Sequence, residues 1–296
     1  MHFNMKIAAR GKIWFTIMII AMLLSFGSMM FKGFNLGIGF SGGTILDLKF
    51  SRDVRVEEVR DVLKEFSLEN SIIQHAGVVT ADKAPNIVVR TYPIEDEQLR
   101  QNIMKTMTEK IAPFEVLRME KVGATVGDEL TKQAALALAL SWLLMIAYIT
   151  YRFEINFAIS GLVCLMQDVI LVLGVFSFLQ MEIDSSFIAA LLTVVGYSIN
   201  GTIVIFDRIR ENLRSYRKSD GLVKLIDDSI NQTITRTIYT VSTVLFATVS
   251  VYLFGGETLK HFTLAMTIGF VSGTITSIFL AGPIWLMLRN RKLSAD

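Results

Sequence analysis

Six apolar stretches, each long enough to cross roughly 30 Å of hydrocarbon, govern what this chain can fold into: about residues 13–31, 134–151, 155–179, 187–206, 237–254 and 262–288. With no water in a bilayer core, each must close its own backbone hydrogen bonds, and so each is a helix. The balance of residue types agrees. With 52% hydrophobic and 19% charged residues and a mean hydropathy of +0.50, the chain holds more apolar surface than a soluble core of this length buries. The first stretch follows Lys6, Arg10 and Lys12, the flank of a signal peptide. It is longer than a usual h-region, and Gly27-Ser28 leads on into Met29, Met30 and Phe31, so a retained anchor is expected.

Basic residues set the expected orientation. They gather at Lys6/Arg10/Lys12, at Arg152, at Arg208/Arg210/Arg214/Arg217/Lys218/Lys224 and at Arg289/Arg291/Lys292, alternate ends of a six-span chain and therefore one side. The opposite short loops, 180–186 and 255–261, carry only Lys260 as a basic residue. Both termini are thus expected in the cytoplasm. A net charge of +2 is too small to suggest nucleic acid. The single Cys164 lies in an apolar run and His2, His75 and His261 are scattered, so no disulfide framework, metal cluster or cofactor site is expected.

The one sizeable polar segment, 32–133, is placed outside the cytoplasm by that topology. Its patterning predicts strands at 44–50, 71–77, 86–91 and 114–122 and helices at 54–66 and 95–111, with Val59, Leu63 and Phe66 on one helical face and Asp53 as cap. The order βαββαβ is that of a ferredoxin-like sandwich, which defines a shape and not an activity. The expected division is 1–31 (cytoplasmic N-terminus and first span), 32–133 (extracytoplasmic α+β domain), 134–288 (five further spans, with a cytoplasmic segment at 207–235) and 289–296 (cytoplasmic tail).

"NLGIGFSGGT" (35–44) has the glycines of a phosphate loop but no following helix with Lys-Ser/Thr, so a tight turn at the membrane exit is the simpler reading. Asp168, near the centre of the third span beside Gln167, costs at least ~2.5 kcal/mol there and should face the bundle interior, as an ion relay or as a helix-to-helix hydrogen bond. Arg236 opens the fifth span. With a helix starting near Asp228 it lies two turns in, either seeking a carboxylate or carbonyl on a neighbour or snorkelling to the interface. Thr237, Thr240, Ser242, Thr243, Thr248 and Ser250 in the fifth span, and Gly269/Gly273 in the sixth, let helices approach closely. The basic run "DRIRENLRSYRK" either binds anionic lipid or anchors a helix end. In "GYSINGTIVIFDRIREN" (196–212), Tyr197, Ser198, Asn200 and Thr202 fit a helix interface about two turns above the boundary marked by Asp207, Arg208 and Arg210. No nucleophile–base pair or nucleotide loop appears, and six spans with an external domain and midplane polar residues suit a transporter or one of its subunits rather than an enzyme.

"GIGFSGGT", "VGATVGDEL", "YRFEINFA", "QDVILVLG", "IAALLTVVGYSINGTIVIFDRIREN" and "NQTITRT" together resemble the SecF family of the resistance-nodulation-division superfamily, over about residue 30 to the C-terminus. The signature block supplies Gly196, Tyr197, Ser198, Asp207, Arg208, Arg210, Glu211 and Asn212. The resemblance implies a bacterial cytoplasmic-membrane subunit that pairs with a SecD-like partner and uses the proton, in some cases sodium, motive force to help preproteins through the SecYEG channel after SecA has acted. A YidC-type insertase and a YajC-type subunit are further partners it suggests, besides the translocating preprotein and membrane lipid. Three departures stand out. The family usually has Asp at the positions of Gly201 and Gly39, and its third-span His-Asp pair reads Gln167-Asp168 here. The lost carboxylate at Gly201 belongs to the group implicated in ion coupling with an arginine matching Arg236, so Asp168, Arg236, Asn200 and Gln167 are the polar elements left to this chain. The alternative is a scaffold subunit without ion coupling of its own. A free-standing small-molecule exporter lacks the second half that such pumps need.

Overall fold

The computed structural model describes residues 5–76, 86–94, 96–216 and 221–293. His2, positions 77 and 95, Arg217, Lys218 and the last three residues of the tail lie outside them, as do the side chains of Arg291 and Lys292. In chain order the elements are α1 (Gly11–Lys32), β1 (Asn35–Leu36), α2 (Ile38–Ser41), β2 (Gly43–Phe50), α3 (Val56–Lys64), β3 (Ile72–Ala76), β4 (Asn86–Thr91), α4 (Glu97–Lys110), β5 (Phe114–Val122), α5 (Ala124–Arg152), α6 (Ile155–Leu179), β6 (Glu182–Ile183), α7 (Ser185–Arg214), α8 (Leu222–Phe254), α9 (Gly256–Thr276), a π turn (Ser277–Ala281) and α10 (Gly282–Leu293). They form two compact units, one of residues 36–135 and one of 1–35 with 136–296.

In the smaller unit, β2 to β5 make an antiparallel sheet in the order β3-β4-β2-β5, the ferredoxin-like arrangement. Leu46 sits opposite Val89 and Leu48 opposite Ile87, so the alternation in both strands puts one apolar row on the same face. Val59, Val62 and Leu63 of α3 and Ile103 and Met107 of α4 close on that row, and each fully buried side chain contributes about 1.5–3 kcal/mol. The cap of α3 differs from expectation. The helix begins at Val56, and Glu58 accepts the Arg55 N–H at 3.2 Å while pairing with Arg52, which leaves Asp53 ahead of the helix. The exit glycines do form a tight passage. After the single turn of α2, Gly42 and Gly43 take φ of +71° and +142°, and a Cβ on Gly43 would lie 2.6 Å from the Thr91 carbonyl oxygen. The start of α5 packs there too, since a Cβ on Gly127 would come within 2.7 Å of Phe40 O.

Among the described residues six helices are long and apolar enough to span a membrane: 8–32, 125–152, 155–179, 185–214, 222–254 and 259–290. Several run past the apolar stretches. α7 continues through the charged signature to Arg214, and α8 starts at Leu222, well before Asp228. α6, α7 and α9 hold the buried centre, whereas α1 and α5 show most of their Leu, Ile and Phe outward, as suits lipid. The N-terminal segment is tied to α8, with Ala8 N–H donating to Asp227 Oδ1 at 2.6 Å and Asn231 bonded both ways to Met5.

Candidate functional site

Asp168 is completely buried where α6, α7 and α9 meet. The hydroxyl of Ser198 on α7 donates to Oδ2 at 2.5 Å, that of Ser272 on α9 to Oδ1 at 2.6 Å, and that of Thr276 lies 3.1 Å from both oxygens. Bonds from donors to a charged acceptor offset the cost of keeping the group from water. Small residues make the approach possible. A Cβ on Gly273 would fall 2.8 Å from Ser198 Cβ, and one on Gly269 would collide with Val194, so only glycines let α7 and α9 come this close.

Arg236 occupies a different setting. It lies about four turns into α8 rather than two, because the helix starts at Leu222. It lines a small pocket of about 50 Å³ with Tyr197, Ser198, Asn200 and Gly201 of α7 and Thr274 of α9, room for a few waters. Its side chain is exposed, and among the described residues its guanidinium has neither ion pair nor hydrogen bond. Tyr197 packs its ring on Phe270 at 4.5 Å between centroids. Ser198 is common to both places: it walls the pocket and holds Asp168. Gly201 faces the π turn, where a Cβ would meet Ser277 Oγ at 3.2 Å, and Ser277 in turn lies 2.9 Å from Thr202 Oγ1. π turns inside α-helices are frequent at functional sites because they re-aim neighbouring side chains.

The remaining expected residues fall elsewhere. Gln167 is buried beside Asp168 and lines a cleft with Trp14, Leu171 and Phe279, which Ser272 and Thr276 also wall, and among the described residues its Oε1 has no hydrogen-bond partner. Asn200 lines the Arg236 pocket on its outer side. It is exposed on the same side of α7 as Gly196, where a Cβ would meet nothing. At the end of α7, Arg208 pairs with Glu211 at 3.0 Å, Asp207 approaches Arg152 at 3.7 Å, and Asn212 donates to Ser229 Oγ and Gln232 Oε1 on α8. The hydroxyls of α8 serve mostly their own helix: Thr237, Thr240, Thr243 and Ser250 donate to carbonyls three or four residues back, while Thr248 also meets another helix, at Thr267, and Thr240 the Tyr197 side chain of α7. The hydroxyl residues Ser272 and Thr276 of α9 and Ser277 of the π turn were not anticipated. The i, i+4 pair Ser272/Thr276, interleaved with Gly269/Gly273, is the signal that marks them. Among the described residues no three His, Cys, Asp or Glu side chains gather as a metal set.

Residues 103–291 match the family described as protein export membrane protein SecD/SecF, C-terminal, and residues 27–54 match the SecD/SecF GG motif. The chain is 49% identical to the protein translocase subunit SecF of Acidaminococcus fermentans, covering 97% of this chain and 98% of that one, and 39% identical to that of Sebaldella termitidis, covering 98% and 93%. A solved Thermus SecDF, described as a translocon-associated membrane protein, is similar with a TM-score of 0.88 at 31% identity, over 98% of this chain. The match spans 39% of that longer chain's length.

Proposed function

This chain belongs to the SecF family of protein-export membrane proteins, and on that premise we propose that it is the half-bundle of a SecDF complex in which Arg236 couples an ion gradient to the outward movement of preproteins. The observation that carries this reading is the unpaired guanidinium of Arg236 beside the signature residues Tyr197, Ser198, Asn200 and Gly201, on an exposed stretch of α7 and α8. A cation at this depth of a span seeks a carboxylate, and Gly201 supplies none. A SecD-like partner therefore provides the group that faces Arg236, and the gradient is of protons or sodium. Asp168, held by hydroxyls, is the second polar element, reached through Ser198. Both termini lie in the cytoplasm and the α+β unit on the far side of the membrane, where it meets the emerging preprotein. SecYEG with SecA, a YidC-type insertase and a YajC-type subunit complete the setting.

Gly201 favours a second reading, a scaffold subunit that stabilises the complex without taking part in coupling, because a glycine has no proton to carry. Export in a strain lacking its own subunit separates the two. With the chain complementing, Arg236→Ala lowers the export rate about tenfold or more, equivalent to at least ~1.4 kcal/mol on the barrier. Unchanged export by Arg236→Ala removes the coupling role and leaves the scaffold. Gly201→Asp requires Ser277 to give by a few tenths of an ångström, and a gain in gradient-dependent export would show that the glycine is a lost function.

A further inference from the structure

A cleft of about 520 Å³ opens at the end of the bundle where α5 and α7 finish, α6 begins and α10 runs out. Four arginines line it: Arg152 on α5, Arg210 and Arg214 on α7, and Arg289 on α10. Phe153, Phe157, Leu213 and Tyr216 supply the apolar part of the wall, and Glu154 is the single acid among the lining residues.

The guanidiniums are pre-set on aromatic faces. Those of Arg152 and Arg210 lie 5.4 and 5.9 Å from the ring centre of Phe153, and that of Arg289 lies 5.0 Å from Trp285. Trp285 is itself buried and stacks on Phe157 at 4.9 Å and 16°. Arg210 is further fixed by donating to the Arg152 carbonyl at 3.3 Å. What is missing is negative charge. Arg152 reaches Asp207 only at 3.7 Å, with both side chains about half exposed, a pair worth little. Arg210, Arg214 and Arg289 make no ion pair among the described residues. Four like charges brought to one cleft repel unless an anion sits among them, and planar forks held in place match phosphate oxygens two at a time.

We propose that this cleft binds the phosphodiester headgroup of an anionic phospholipid. The lipid is favoured over a free phosphate because the charges stand at the ends of apolar spans, and because the partly exposed Leu213 and Tyr216 offer acyl or glycerol carbons a surface that an inorganic anion leaves uncovered. A zwitterionic headgroup brings a cation that the arginines oppose. The site is independent of Arg236 and of any coupling through it.

The test uses the full chain purified in neutral detergent and titrated, at low and high salt, with phosphatidylglycerol, phosphatidylcholine or glycerol 1-phosphate, reading bound lipid by native mass spectrometry and the thermal midpoint in parallel. Phosphatidylglycerol should be retained about tenfold over phosphatidylcholine, raise the midpoint, and lose both effects at high salt. The pair Arg214→Gln/Arg289→Gln should abolish the preference, while Arg214→Lys/Arg289→Lys, which keeps the charge, should retain part of it. Equal retention of the two lipids overturns the site, as does a preference that survives the Gln pair. Equal loss in the Lys and Gln pairs means that these side chains hold the fold and not a headgroup. Competition by glycerol 1-phosphate as strong as by the lipid reassigns the cleft to soluble phosphates and overturns the lipid.

Discussion

Asp168 and Arg236 stand on either side of Ser198, and the chain surrounds them differently. Around the carboxylate, α6, α7 and α9 close completely, and three hydroxyls take up its two oxygens. Around the guanidinium, α7 and α8 leave a small pocket and an exposed flank, and no group among the described residues answers its charge. A buried polar group that is fully bonded belongs to the fold of the chain that holds it. A charge set deep in a span and left unanswered is half of an arrangement whose other half lies on a neighbour.

That contrast breaks most readily at the glycines that bring α7 against α9. Gly269→Val puts a side chain into Val194 and pushes α7 away, so both surroundings are lost together. A destabilisation of about 3 kcal/mol is expected, seen as a fall in thermal midpoint and in the yield of folded protein. Next comes the pair that separates the two residues. Asp168→Ala strands the hydroxyls of Ser198, Ser272 and Thr276 and should cost about 1–3 kcal/mol. Arg236→Ala, whatever it does to export, should leave the stability of the isolated chain within about 0.5 kcal/mol of the parent. Equal losses from the two would mean that Arg236 has a partner within its own chain.

The smallest effect calibrates the others from outside the membrane unit. Arg52, bonded to Glu58, and the Arg55 N–H hold the Glu58 carboxyl down at about 2, from an ordinary 4.5. This contribution is present above pH 4.5 and lost as pH falls through about 2. Glu58→Gln should flatten the fall in midpoint across that window and leave the midpoint's response to Asp168→Ala unchanged. Both groups are solvated, so the change is a small slope and not a collapse.

How far these features were legible depends on what hydropathy measures. β4 and β5 were readable to the residue, because alternating Val and Ile in "NIVVRT" and the closing "FEVLRMEKV" are bounded by turn residues. Span centres were equally plain, but helix ends were not: α5, α7 and α8 carry on through Asp, Glu, Lys and Arg, and a hydrophobic window marks where the oil stops, not where the helix does. The displacement of Arg236 from two turns to four follows from that alone. Asp168 announced itself by its charge. Its partners did not, because serine and threonine in an apolar helix look the same whether they bond their own carbonyl, as Thr240 does, or a carboxylate across the bundle, as Ser272 does.

The π turn at Ser277–Ala281 divides the sixth span into two phases. One extra residue rotates everything beyond it by about 100° relative to an unbroken helix. Up to Thr276 the span shows its hydroxyls to Asp168, and after Ala281 it shows Trp285 to Phe157 on α6. A single helix thereby keeps two appointments that no uniform winding could keep together, one polar at mid-depth and one aromatic near the end.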